Sequence, residues 1–392
     1  MPSKILLYLV SPFVKNEKEI PALNGIRAIA ILLVIVYHVW LPFQVSSFPK
    51  IFQNFLSNFN SGVDLFFVLS GFLIYSGIIK YTKESDLFSK KKFFIARTLR
   101  IFPAYYFCLL ILYLYFQGQF NRLSQIANPN EFQMVELNSL SATLQSSYAD
   151  ILYISNYTER RLSLVGWSLS IEEQFYLILP FFSTLFLLKL DSKKRIFILT
   201  LLYIVPLFFR IFYTFQNSDL TAFIYSHARM DSLIAGMILA EMVFGVLKSK
   251  IQVQRSIQVF LFGICVLLLT LGHAFPLEEP FRKTFGFNCF NLGYGILIYL
   301  SLQKKSWIVS ILSSVIFRPI ARLSYTMYLW NILIAGIAVS KVLSVSSQLS
   351  PRNFILAVLT ACVYCFLGSW ILYLLIERPF LILKEKILAE KR

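Results

Sequence analysis

Cysteine is scarce in this chain, with five among 392 residues, and acidic side chains number 20 against 37 basic ones. Cys108, Cys265, Cys289, Cys362 and Cys365 all fall in or beside apolar runs, which reads as buried thiols. Cys362 and Cys365 have a metal-like spacing, but no second pair accompanies them and their surroundings are apolar, so no metal site is expected. No internal repeat or low-complexity tract is evident either, and no signal peptide is expected. The run "KILLYLV" is too short for a secretory hydrophobic region, and no small-residue cleavage site precedes the lysines that follow. Residues 1–20 therefore read as a cytoplasmic or interfacial segment.

What the chain has in excess is apolar length. Hydrophobic residues make up 57%, aromatics 17%, and the mean hydropathy is +0.67, whereas soluble domains hold about 45–50% apolar residues even with glycine counted. Ten runs have the ~20-residue length that a bilayer demands of a helix: 21–43, 61–80, 97–117, 171–189, 196–215, 222–247, 256–274, 285–303, 319–341 and 353–380. The expectation is an all-α polytopic membrane bundle of about ten transmembrane helices over residues 21–383, with a long external segment at 118–166 and a tail at 384–392. The sequence as it stands shows no soluble catalytic domain after the last run, so chemistry is expected within the bundle or at its mouths.

The formal net charge of +17 would suit nucleic acid, but its distribution points elsewhere. Alternate connections and the two ends collect 22 basic residues, while the other connections hold eight: Lys50, Arg122, Arg160, Arg161, Arg282, Lys283, Lys341 and Arg352. That is the positive-inside asymmetry, and it puts both termini in the cytoplasm.

Against this background the polar residues inside the runs stand out. Arg27 and His38 are eleven residues apart, which on a helix returns to within about 20° of the same face, ~16 Å further along. Ionisable groups at such depth are expensive and face a cavity or a partner. Snorkelling accounts for Arg27 taken alone, and a structural hydrogen bond for His38 taken alone; a shared face favours a joint role. Asp64, in "SGVDLFFVLSGFLIY", lies about one turn into the second run and is a candidate to orient His38 as a general base, or else a helix-start carboxylate favoured by the dipole. Gly62 and Gly71 would let neighbouring helices approach. Arg97 and Arg100 share a face at the start of the third run. Positive-inside anchoring explains them, and so does an anionic ligand gripped by guanidinium forks.

In "VGWSLSIEEQFYLILP", Ser170 and Glu173 fit a capping box, Trp167 an interfacial anchor, and Glu172 is left to line the outer cavity. Arg229 and Asp231, two apart in the sixth run, do not face each other, so each needs a partner elsewhere. Tyr325 and Asn331 lie in the ninth run, and Glu377 and Arg378 close the tenth as a local salt bridge or basic anchor.

These segments, in this order, resemble the acyltransferase family 3 of membrane proteins, bacterial O-acetyltransferases of surface polysaccharides and small molecules. "LNGIRAIAILLVIVYH" is similar to the family's opening helix, with Arg27 and His38 as its Arg-x10-His pair. "GVDLFFVLSGFLI", "RTLRIFPAYY", "WSLSIEEQFY", "RMDSLIAG", "SYTMYLWN" and "ERP" resemble further signatures, so the likeness covers nearly the whole chain. Two departures matter: Asn24 stands where the family commonly has aspartate, and Asn331 where its Tyr-Leu-Trp motif continues with histidine. The second argues against proton transfer at position 331 and leaves His38 as the principal candidate.

The resemblance implies a multi-pass protein of the bacterial inner (cytoplasmic) membrane that moves an acyl group, acetyl above all, from acetyl-CoA to a hydroxyl of a surface polysaccharide such as lipopolysaccharide, a glycolipid or a related sugar. The acyl-CoA is a co-substrate, and no bound cofactor is implied. Its expected donor-binding residues are Arg27, Arg97 and Arg100, and its catalytic pair is His38 and Asp64. Glu172, Arg229, Asp231, Tyr325 and Asn331 are candidates for the acceptor cavity, with support from Trp167, Glu173, Glu377 and Arg378. Many members carry a fused extracytoplasmic domain; without one, the acceptor is expected to be handled by the bundle or a separate partner. A transporter or flippase of an anionic or glycolipid substrate is the alternative, and it would predict repeats and broken helices.

Overall fold

The computed structural model describes residues 4–15, 19–44, 48–85, 88–218, 224–248, 251–304 and 306–389, the side chains of 81–85 excepted. Lys18, Lys250, Lys305, Lys391 and Arg392 of the basic count lie outside the described residues, as does the start of the expected run at 222. Helix accounts for 83% of the structure, and no strand occurs among the described residues. The long helices are α1 (Pro21–Trp40), α2 (Gly62–Ser85), α3 (Lys90–Ser124), α4 (Gly166–Leu185), α5 (Ser192–Phe215), α6 (Ser226–Glu241), α7 (Arg255–Ala274), α8 (Phe285–Ser301), α9 (Phe317–Val345) and α10 (Pro351–Leu372). Nine helical stretches among the described residues are long and apolar enough to cross a membrane. The tenth, α8, has 17 residues, about 26 Å of helix against a hydrocarbon core of about 30 Å.

Local chemistry sets the helix starts. Pro21 opens α1, where its missing N–H costs nothing. Ser89 caps α3 by accepting from the Lys92 N–H at 3.3 Å. Asp191 caps α5 by accepting from the Lys193 and Lys194 N–H groups, each at 3.0 Å. Both caps precede basic first turns, which oppose the helix dipole, so they give those turns the acceptor they lack. The Lys194 N–H, chief among these contacts, holds the exposed Asp191 carboxyl below its ordinary range.

The chain divides into two compact units. The first comprises residues 1–88, 179–223 and 227–371. Its core is α1 packed on α9 and α2, with α8 bridging α2 and α7. Glycine makes the tightest crossings possible. A Cβ on Gly62 would lie 2.5 Å from the Ala30 carbonyl of α1, and one on Gly71 would fall on the Leu233 carbonyl of α6. Gly236 of α6 reciprocates against Val68 of α2, so these two backbones touch at paired glycines, as small-residue packing in membranes requires. The short helix Lys4–Leu9 exposes Ile5, Leu6, Leu7 and Leu9. It is tied down where Trp370 Nε1 donates to the Leu9 carbonyl at 3.0 Å.

The second unit comprises residues 89–178, 224–226 and 372–392. The helix Glu131–Gln145 and the C-terminal helix Arg378–Ala389 both pack on α3. Much of the segment at 118–166 is helical. Its nucleus is a capping box in which Gln133 N–H donates to Asn130 Oδ1 at 2.8 Å and Asn130 N–H donates to Gln133 Oε1 at 2.9 Å.

Candidate active site

Helix α1 runs unbroken from Pro21 to Trp40, so Arg27 and His38 keep the shared face that their spacing implies. Both are half-buried. The His38 ring meets Tyr37 edge-on, with centroids 5.1 Å apart. Its polar neighbours are the Val34 carbonyl and the Asn331 side chain of α9. Two atoms here are buried without a well-formed hydrogen bond, His38 Nδ1 and Asn331 Oδ1; Asn331 Nδ2 donates to the Tyr328 carbonyl at 2.6 Å. Tyr325 is half-buried on the same helix.

Asp64 is committed elsewhere. Its Oδ1 accepts from Arg229 Nη2 at 2.6 Å and from Ser232 Oγ at 3.0 Å, both on α6. The hydrogen-bonded partner expected for Asp64 was His38; the structure pairs it with Arg229, because a fully desolvated carboxylate is held best by a charge-assisted donor at salt-bridge distance. The demand for outside partners at Arg229 and Asp231 is met on both counts. Asp231 Oδ2 lies 2.8 Å from Arg210 Nη1 of α5 and accepts from Asn291 Nδ2 of α8 at 3.0 Å. Arg210 also donates to the Ala228 carbonyl at 2.7 Å and to Asn288 Oδ1 at 2.9 Å.

A third guanidinium completes this buried network. Arg282, counted above among external loop cations, has no exposed surface. Its Nε donates to Asn58 Oδ1, and its Nη2 approaches Asn60 Oδ1 at 3.4 Å. Arg229 and Arg282 lie over the Phe287 ring at 4.2 and 4.5 Å, and Arg210 at 5.1 Å. Three guanidiniums thus face two carboxylates, an excess of positive charge that an aromatic face softens. Beside them, Ser61 Oγ lies 3.1 Å from His273 Nε2 and 2.8 Å from the Tyr294 hydroxyl. Ser61, Arg210, His273, Arg282 and Asn291 were not singled out from the sequence. An arginine inside an apolar run was signal enough for Arg210, whereas Arg282 and Ser61 look like loop residues until the chain is folded.

In the second unit the half-buried Arg97 lies 5.2 Å over the Tyr176 ring and 5.7 Å over Phe93. Tyr176 donates its hydroxyl proton to Glu172. The charges of Arg97, Arg100 and Glu377 all act on Lys384 here. The expected capping box at Ser170 and Glu173 does not form. Helix α4 starts at Gly166, which puts Ser170 inside the helix, where it bonds Ser155 Oγ at 3.1 Å. Glu173 Oε1 is instead buried without a hydrogen-bond partner, and Trp167 is half-buried in the first turn of α4. Glu377 is buried at the end of the π-helical turn Tyr373–Glu377, and Arg378 Nε is buried without a partner.

A family model described as an acyltransferase domain matches residues 20–374. The chain belongs to this acyltransferase family. Among relatives, the chain is 26% identical over 331 residues to SACOL0978 of Staphylococcus aureus (strain COL), covering 81% of this chain and 51% of that protein. It is 25% identical over 329 residues to the peptidoglycan O-acetyltransferase OatA of Listeria monocytogenes serovar 1/2a, covering 81% of this chain and 49% of that one. To the O-acetyltransferase OatA of Staphylococcus aureus (strain NCTC 8325) it is 25% identical over 333 residues, with 81% and 50% covered. The chain thus spans about half the length of the curated relatives it matches. No solved structure matches it.

Proposed function

We propose that this chain is a membrane O-acyltransferase that moves an acetyl group from acetyl-CoA to a hydroxyl of a surface saccharide, peptidoglycan or glycolipid, in the cytoplasmic membrane of a bacterium. The observation that carries this reading is a family match spanning the helix on which the half-buried imidazole of His38 sits beside the Asn331 side chain. The saccharide class rests on the relative whose name specifies peptidoglycan.

In this mechanism His38 takes the proton of the acceptor hydroxyl as that oxygen attacks the acyl carbonyl. General-base action supplies about 10²–10⁴ in rate, and positioning supplies much of the rest. Asn331 presents a carbonyl oxygen with no other partner to the imidazole, which would fix the ring's tautomer. Arg27, on the same helix as His38, is the proposed cation for the donor's phosphates; Arg97 and Arg100 are separate candidates for that role, to be tested on their own. The Asp64–Arg229 and Asp231–Arg210 pairs hold α2, α5 and α6 in register around the catalytic helix.

The test is acetyl-CoA turnover with a saccharide acceptor by the purified, reconstituted chain. His38→Ala is expected to lower acetyl transfer by at least 10² while membrane insertion is unchanged. Transfer at the wild-type rate by an inserted His38→Ala protein sinks the assignment of the base. A wild-type protein that moves a saccharide across the bilayer without consuming acetyl-CoA belongs to the transporter class instead.

A further inference from the structure

The Ser61–His273 pair has no role in the mechanism above, yet its geometry is that of a nucleophile and its base. Ser61 Oγ and His273 Nε2 are 3.1 Å apart. The other ring nitrogen, Nδ1, lies 2.7 Å from the Leu269 carbonyl one turn back on α7. That bond puts the ring proton on Nδ1 and leaves Nε2 as the acceptor that faces the serine hydroxyl. Phe55 stacks on the imidazole at 5.6 Å, and Phe290 meets it edge-on at 4.7 Å, so the ring is fixed. Nucleophile, base and orienter are thus in sequence.

The surroundings supply what a serine ester would need. Ser61 ends the 3₁₀ turn Phe59–Ser61 that leads directly into α2. Arg282 grips that same turn through Asn58 and Asn60, and its Nη1 is fully buried with no hydrogen-bond partner. Its charge acts on both His273 and Tyr294, the two groups bonded to Ser61. A buried cation with a donor to spare is the preorganised electrostatics that a tetrahedral oxyanion requires.

We infer that Ser61 is an acyl carrier, activated by His273, that holds the acetyl group as a serine ester between donor and acceptor. The inference rests on the acyltransferase reading. In the first half, Ser61 Oγ attacks the thioester carbonyl and gives its proton to His273 Nε2. The carbon–sulfur bond breaks and coenzyme A leaves as the thiolate. In the second half, the acceptor hydroxyl attacks the ester and gives its proton to His38. The bond from the acyl carbon to Ser61 Oγ breaks, and that oxygen regains the proton from His273. The thiolate and the protonated His38 then exchange with solvent, and no oxidant or reductant is needed.

Two measurements on the full chain in lipid nanodiscs test this. Incubation with radiolabelled acetyl-CoA without acceptor, followed by peptide mass spectrometry, is expected to place one acetyl group on Ser61. A fluorophosphonate probe, which needs no acyl-CoA chemistry, is expected to label the same residue, and His273→Gln is expected to slow that labelling at least tenfold. Wild-type protein that turns over acetyl-CoA with neither an acetyl nor a phosphonyl group on Ser61 overturns the inference and leaves the acyltransferase reading standing. Protein that never consumes acetyl-CoA overturns that reading, and the fluorophosphonate result then decides the pair: a labelled Ser61 supports it and an unlabelled one refutes it. Because wild-type labelling is decisive, a Ser61→Ala variant that fails to fold does not blunt the test.

Discussion

A carboxylate one turn into a membrane helix is costly unless a cation answers it, and Asp64 shows how completely it can be answered. Its side chain and that of Arg229 are almost wholly buried, at 2% and 4% exposure, with 2.6 Å between oxygen and nitrogen. Removing one partner of such a pair strands the other charge, which costs about 3–5 kcal/mol, whereas replacing both with apolar groups of similar size costs far less. Asp64→Asn is therefore expected to lower the thermal midpoint of the solubilised protein more than Asp64→Leu combined with Arg229→Met. Equal losses for the single and double variants would show that the pair is not coupled. This residue also marks how far the sequence could be read. Spacing alone required that Arg229 and Asp231 find partners off their own helix. It could not name Asp64 and Arg210, which lie 165 and 21 residues away, because helical periodicity reports faces and not which faces meet. Arg282 was misread for the same reason: its neighbours in sequence are polar, while its neighbours in space are Asn58 and two phenylalanines.

At the level of elements, the apolar runs and the glycines in them were legible, because bilayer thickness and close packing act on local sequence. The segment before α4 was not, since its order rests on contacts between residues far apart in sequence, a buried carboxylate among them. Asp150 Oδ2 accepts the Leu162 N–H at 2.7 Å, and the Tyr105 hydroxyl donates to the Asp150 carbonyl at 3.1 Å. Burial pushes the Asp150 carboxyl up to about 6 from 3.8, although the Leu162 N–H favours the ionised form. The folded state thus binds this proton more tightly than the unfolded chain. Its stabilising effect is complete below the unfolded value of 3.8 and is lost as pH rises through about 6. At roughly 1.4 kcal/mol per pH unit the difference is on the order of 3 kcal/mol. Amide exchange in residues 146–166 is therefore expected to be slower at pH 5 than at pH 7.5 after correction for intrinsic rates, and Asp150→Asn is expected to flatten the difference. A pH dependence that survives in Asp150→Asn assigns the effect to another group.

For the molecule as a whole, charge is the one long-range property that the sequence carries openly, and the fold sharpens it. Of the eight basic residues on the sparser side, Arg282 has no exposed surface and serves the buried network, so the cations available to hold the loops of that side number fewer still. The positive-inside rule counts loop cations and leaves a desolvated, hydrogen-bonded one out of the account, so the charge asymmetry between the two sets of connections widens. Two exposed positions of the first unit report on this bias without altering charge. Gln254 precedes α7 in a basic connection, and Ser347 lies between α9 and α10 in a sparse one. Single cysteines at these positions are to be read against a background in which the half-buried Cys289 and Cys362 are replaced, since the other three thiols are buried. With a membrane-impermeant maleimide, Ser347→Cys is expected to react in intact cells, and Gln254→Cys only after the membrane is permeabilised. The reverse pattern would place the termini on the outer side of the membrane and invert the assignment of every connection between them.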